Sequence, residues 1–219
     1  MAAGLANRVW TRRGSVRAVG LGWLCVSNPR DQARALLYAT IAWNALTVAI
    51  SLPAAFAAGS VALGGFGLDS GVEVAASLLA LSSLRGKGTG HDRRNVRLIR
   101  VAFVAIAVYL VVQAGYVLLT RAEPEPSPLG IVLLAATVVV MTTLAVLKRG
   151  VGRQLGNAAV SAEARVTLID SFDSALVLVA LVANAVFGLW WADPLGGLLL
   201  AAYSLHEAME QHEPSQLSN

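Results

Sequence analysis

Six side chains could do chemistry from within apolar segments of this sequence: Asp69 and Glu73 in one, and Glu163, Thr167, Asp170 and Asp173 in another. Asp69 and Glu73 are four apart, so on a helix both project from one face about one turn from each other. Glu163, Thr167 and Asp170 repeat at i, i+4 and i+7 and form a similar stripe, which Asp173 joins three residues further on. A carboxylate at the centre of a membrane helix costs roughly 2.5 to 3.5 kcal/mol on insertion scales, so such residues mark a function or a specific partner. Two facing oxygen-rich stripes make a cation site. Any one of these carboxyls could instead be neutral and bonded to a neighbouring helix, and Glu163, beside Arg165, could simply end its span.

The elements that hold these residues read as membrane spans. Hydrophobic residues make up 56% of the chain and charged residues 14%, with a mean hydropathy of +0.64; a soluble domain carries about 25% charged residues. Of the 17 Lys and Arg, all but Arg121 fall in three blocks, at 8–34, 85–100 and 148–165, separated by apolar runs. Positive residues flank membrane helices on the cytoplasmic side, so an even number of spans separates the blocks. The net charge of +4 and the pI near 9.7 are therefore topology signals. Nucleic acid is excluded as a partner, because the cations are juxtamembrane and have no aromatic stacking platform beside them.

The resulting fold class is an all-α integral membrane protein with six transmembrane helices. Residues 1–33 form a basic cytoplasmic arm, 34–212 the six-helix transmembrane domain, and 213–219 a short tail. The spans fall at 35–58, 60–84, 101–120, 129–147, 164–189 and 194–211. A basic, glycine-broken loop at 85–97 and a proline-rich outer loop at 121–128 separate them. Trp190 and Trp191 sit where an interfacial aromatic belt belongs, Asp193 is placed to cap the sixth helix, and Pro194 suits its first turn. The second span is crowded with Gly64, Gly65, Gly67, Gly71, Ala75, Ala76 and Ser77, which allows close backbone approach and places it inside the bundle. The lone Cys25 rules out an intrachain disulfide framework and a thiolate metal cluster. The three histidines, His91, His206 and His212, are scattered without a metal-protease spacing, which argues against an enzyme.

Several of these segments resemble the cation diffusion facilitators, the divalent metal cation transporters. Gly-Ser-Val-Ala-Leu at 59–63 followed by Leu-Asp-Ser-Gly-Val-Glu-Val at 68–74 is similar to their second transmembrane helix, with Asp69 and Glu73 at the two acidic ligand positions. Ile169-Asp170-Ser171, then Trp190-Trp191-Ala192-Asp193-Pro194 and Tyr203-Ser204, are similar to the fifth and sixth helices, with Asp170 at a ligand position about 23 residues before Asp193.

The resemblance implies a bundle in which the first, second, fourth and fifth helices enclose the carboxylates while the third and sixth pack beside them. It implies export of a divalent metal in exchange for protons. The partners it implies are that ion, protons and the lipid bilayer of the plasma (inner) membrane, with a homodimer as the candidate assembly and no prosthetic group. Val166 stands where the family usually has His or Asp, so Thr167, Asp173 or Glu163 would replace the fourth ligand. The cytoplasmic domain that commonly follows the sixth helix has no counterpart, which suggests a branch consisting of the transmembrane domain only. All-oxygen coordination favours Mn over Zn, whereas the resemblance favours Zn, with Fe, Co and Cd as further candidates. The alternative is a non-transporting membrane assembly partner with a degenerate ion site.

Overall fold

The structure, a computed structural model, describes residues 28–84 and 92–210. Most of the basic arm, the segment 85–91 and the tail from 211 lie outside the described residues, and with them Cys25, His91 and His212. Six helices follow one another: α1 (Pro29–Ala58), α2 (Val61–Leu84), α3 (Asp92–Thr120), α4 (Pro128–Leu155), α5 (Ala158–Phe187) and α6 (Ala192–Glu210). The first five are long and apolar enough to cross a membrane. The 19 residues of α6 are about 28 Å of helix, close to the thickness of a bilayer core, with acidic residues near both ends.

Local chemistry sets the helix boundaries. Asn28 caps α1 by accepting from the Arg30 N–H, with Pro29 in the first turn, where its missing N–H costs nothing. Gly59, at φ +64°, ends the helix in a left-handed turn, and one residue later Ser60 starts α2. This is the minimal turn that the uncharged run 35–68 required. The segment 121–127 is irregular and is tied down at both sides: Glu125 N–H donates to Ala58 O and the Asn184 amide donates to Pro124 O, each at 2.8 Å.

The helices run further than the apolar runs that predicted them. α3 begins at Asp92, so the basic loop expected at 85–97 is partly helical. α4 continues to Leu155 and α5 begins at Ala158, where spans at 129–147 and 164–189 were expected. Gly150 and Gly152 weaken this stretch without breaking the helix, and Gly152 lets Ser161 of α5 approach closely. The break comes at Gly156, in the left-handed conformation, and Asn157 then caps α5 by accepting from Val160 N–H at 3.0 Å. The third block of cations therefore lies on a tight helical hairpin rather than in a loop.

In the bundle α1 packs on α2 and α4, α5 packs on α4 and α2, and these four close a ring; α3 and α6 pair with each other and lie against α2, with α6 also touching α5. The central helix is α2, with 61% of its span buried against 33–44% for α1, α3, α4 and α5. Its small residues account for this: a methyl group at Gly65 would collide with Leu110 of α3. Phe66, Leu63, Leu110, Leu134 and Val177 fill the core on the side of α2 nearer the α1–α2 turn.

Candidate functional site

The carboxylates of α2 and α5 come together because these two antiparallel helices are neighbours. Glu73 is held on both oxygens: Thr167 Oγ1 donates to Oε1 at 2.5 Å and the Asn44 amide donates to Oε2 at 2.9 Å. Asp170 is buried beside it. No hydroxyl, amide or backbone group donates to either of its oxygens; its immediate neighbour is the Glu73 carboxyl, and Asp69 and Asp173 act on it through their charge. A cavity of about 20 Å³ is lined by Asp69, Glu73, Asp170, Val166, Ile169, Phe103 and Tyr203. That is room for one water or one largely dehydrated ion, since a water needs about 10 to 15 Å³ by this measure. Two walls of the cavity are α2 and α5, and the others come from Phe103 of α3 and Tyr203 of α6. The expected ring of α1, α2, α4 and α5 is present, with α1 reaching Glu73 through Asn44 and α4 reaching Thr167 through Lys148, but the cavity itself is also walled by α3 and α6. Among the described residues, no three Asp, Glu, His or Cys side chains are gathered closely enough to hold a metal ion.

Lys148 is the residue that sequence reasoning misplaced. At the end of an apolar run and next to Arg149 it reads as a juxtamembrane cation. In the structure it is fully buried, because α4 carries on for two further turns. Its ammonium donates to Glu163 Oε1 at 2.6 Å and to Thr167 Oγ1 at 2.7 Å. Ser77 of α2 donates to the same Glu163 oxygen at 2.5 Å. A continuous chain thus runs from Lys148 through the Thr167 hydroxyl, which accepts from the ammonium and donates onward, to Glu73. The polar layer of Ser77, Lys148 and Glu163 ties α2, α4 and α5 together on the α4–α5 hairpin side of the cavity. A signal for it was present in the sequence: Lys148 and Glu163 lie eight and six residues from the Gly156-Asn157 break, so a tight antiparallel hairpin brings them level.

Among the expected site residues, Asp69, Glu73 and Asp170 share one cavity. Thr167 lies behind Glu73, Glu163 is paired with Lys148, and Asp173 is buried and acts on Asp170 through its charge. Val166 lines the cavity and offers it only methyl groups. Asp193 lies just inside α6 and caps α2 rather than its own helix. Its Oδ1 accepts from Val61 N–H at 2.7 Å and from Ala62 N–H at 3.4 Å, and Ser60 Oγ donates to Oδ2.

A membrane-spanning helical bundle that sequesters ionisable side chains between its helices defines an integral membrane protein, and those side chains mark its candidate functional site. Residues 98–211, more than half of the chain, match the cation efflux transmembrane domain, and the chain belongs to the cation efflux family. A cation-efflux pump of Shewanella oneidensis, FieF, is 27% identical over 183 residues, covering 78% of this chain and 62% of the relative. The chain thus spans less than two thirds of that relative's length. The family match begins within α3, so it includes Asp170 and leaves Asp69 and Glu73 outside.

Proposed function

We propose that this protein is a divalent metal cation transporter that exports Zn or a similar ion in exchange for protons, with Asp69, Glu73 and Asp170 as the transport carboxylates. One observation carries this: the three line a single cavity large enough for a dehydrated ion, and Asp170 presents two buried oxygens to which no hydroxyl, amide or backbone group donates. Ionised carboxylates hold a divalent ion, and protonating them releases it, so metal affinity falls as protons bind. An opposing proton gradient then drives the cycle.

The ion belongs on the Asp69–Asp170 side of the cavity. An ion on Thr167 Oγ1 would lie roughly 4 Å from the Lys148 ammonium, and a divalent charge at that distance is repelled by about 8 kcal/mol at an effective dielectric of about 20, before the opposing charge of Glu163 is counted. Thr167 therefore acts through Glu73, which it positions. Glu163 serves as the counterion of Lys148, and Asp173 adds negative potential next to Asp170.

The test is flux into proteoliposomes, run across Zn, Mn, Fe, Co and Cd with and without a pH gradient. Zn flux that rises with an opposing proton gradient is the expected result; no flux of any of these ions would retire the proposal. A second reading, a membrane assembly partner that does not transport, draws on one observation: both oxygens of Glu73 are already occupied by Asn44 and Thr167. It predicts no flux and no saturable metal binding.

A further inference from the structure

A buried hydroxyl on a helix has a simple local solution, donation to the carbonyl four residues earlier. Thr40 takes it on Leu36 O, Ser70 on Phe66 O, Thr137 on Leu133 O and Ser174 on Asp170 O, at 2.7–3.1 Å. Thr167 is as fully buried as these and shares α5 with Ser174, yet it does not. Its hydroxyl donates across the bundle, to Glu73 Oε1 at 2.5 Å.

The cause lies on the other side of that hydroxyl. An ammonium has three donors and no acceptor, and a hydroxyl has one proton to give. Lys148 Nζ therefore occupies a lone pair of Thr167 Oγ1, at 2.7 Å, and cannot receive its proton. Two carboxylate oxygens remain in reach, Glu73 Oε1 at 2.5 Å and Glu163 Oε1 at 3.5 Å. The farther one already accepts from Lys148 and Ser77. The ammonium thus sets the direction of the Thr167 hydroxyl, and that direction is toward Glu73.

The consequence falls on Glu73. With the Asn44 amide on Oε2, each of its oxygens is held by one donor before any ion arrives. Each keeps a further lone pair, so being held leaves it able to coordinate. Asp170, across the same cavity, has no hydroxyl, amide or backbone donor on either oxygen. The cavity therefore pairs a held carboxylate with an unheld one. Donors behind a ligating group orient it, and losing one typically costs roughly 10–100-fold in metal affinity.

We infer that Lys148 is a positioning residue of the carboxylate cavity: from outside the cavity, and through the Thr167 hydroxyl, it holds Glu73 in place to receive the cation. As a determinant of ion affinity this rests on the transport function proposed above; as the device that orients Glu73 it does not.

The variant that isolates the effect is Lys148→Met combined with Glu163→Gln, which removes one cation and one anion and leaves the net charge behind Glu73 unchanged. The Thr167 hydroxyl is then free to turn to the carbonyl of residue 163. Equilibrium Mn binding to the detergent-solubilised protein weakens about tenfold, and in proteoliposomes the loss appears as a raised KM with a smaller change in maximal flux. Thr167→Val weakens Mn binding to a similar extent in the wild-type chain and adds little in the double variant, where the relay is already broken. Thr167→Ser keeps the hydroxyl and loses less than Thr167→Val. Wild-type Mn affinity in the double variant, or a full further loss when Thr167→Val is added to it, overturns the positioning role. If the double variant does not fold, Lys148→Leu with Glu163→Met, an apolar pair of similar volume, takes its place with the same expectations. A readout without metal separates this inference from the transport reading. Thr167→Val and Glu73→Gln are combined in a double-mutant cycle of thermal unfolding, once in the wild-type chain and once in the charge-free background. Coupling that is present in the first and lost in the second supports the device even if the unmodified protein binds no Mn, in which case the transport proposal alone fails. Equal coupling in both backgrounds, or none in the wild-type chain, overturns it.

Discussion

Lys148 and Glu163 meet across the α4–α5 hairpin, ammonium to carboxylate at 2.6 Å, with neither side chain reaching solvent. Removing two ions from water is expensive, and their attraction offsets that cost only when the geometry is good and the remaining donors are bonded. Here Thr167 accepts a second hydrogen bond from the ammonium and Ser77 donates to the same carboxylate oxygen, Oε1, while Glu163 Oε2 is left without a partner.

The pair should therefore respond unequally to single and double replacement. Glu163→Gln leaves the ammonium without its counterion and is expected to lower stability by roughly 3–5 kcal/mol, whereas Lys148→Met combined with Glu163→Gln removes both charges and recovers most of the loss. Thermal unfolding in detergent, read as a double-mutant cycle, measures the difference. Additive losses would show that the two residues do not depend on each other.

Asp193 supports α2 from another helix. Ser60 is the N-cap of α2, accepting from Leu63 N–H at 3.1 Å, and Asp193 takes the next two orphan donors, on Val61 and Ala62. Asp193→Ala leaves both buried N–H groups without acceptors, at roughly 1–3 kcal/mol for each. Asp193→Asn keeps an acceptor oxygen and should lose less. Unfolding of the two variants in detergent gives the order, and an alanine variant as stable as wild type would remove Asp193 from this role.

How much of this was legible in the sequence differs from residue to residue. Asp69, Glu73 and Asp170 stood out because an acid in an apolar run has few explanations; helical spacing aligned Asp69 with Glu73, but only the family resemblance implied that Asp170 faces them, since periodicity does not choose helix neighbours. Lys148 did not, because a cation at the edge of such a run looks like every other membrane flank. Only the length of α4, set by Gly156, shows that it lies within the bundle. The place of Thr167 in the α5 stripe is plain in its spacing. Hydroxyls are common in apolar helices, however, and whether they bond their own backbone depends on geometry that no pattern encodes. Asp193 was seen as a cap, but which helix it caps depends on α6 packing against α2.

Topology follows from the remaining cations. With Lys148 buried and paired, Arg149, Arg153 and Arg165 are the exposed charges of the α4–α5 hairpin, while Arg121 stands on the opposite side with Glu123 and Glu125. By the positive-inside rule both termini are expected in the cytoplasm. A reporter fused after Gln211 should be active only there, and external activity would reverse the assignment.

Val166 lines the same space as the three carboxylates, so under the proposed function a change there should alter the ligand chemistry. Val166→His adds an imidazole nitrogen, and Zn gains more from imidazole than Mn does. The Zn to Mn flux ratio in proteoliposomes is expected to rise severalfold. An unchanged ratio, with the variant folded and inserted, would mean that the ion does not pass close to position 166.

Asp170 offers the sharpest test, because its two oxygens are buried and receive no donor from a hydroxyl, amide or backbone group, leaving the Glu73 carboxyl as its immediate neighbour. Its backbone carbonyl, which accepts from Ser174 Oγ at 2.7 Å, is unaffected by a change of side chain. Asp170→Asn keeps the shape and removes the ionisable group, and a neutral amide is cheaper to bury than a carboxylate among other carboxylates. Stability should hold or rise while metal flux is lost. Both are measurable on one preparation, by detergent unfolding and by vesicle transport at matched protein. If Asp170→Asn transports at the wild-type rate, this carboxylate is structural and the assembly-partner reading takes first place. If it is unstable as well as inactive, the loss of flux says nothing about ion binding, and Asp69→Asn, on the other wall of the same cavity, becomes the deciding variant.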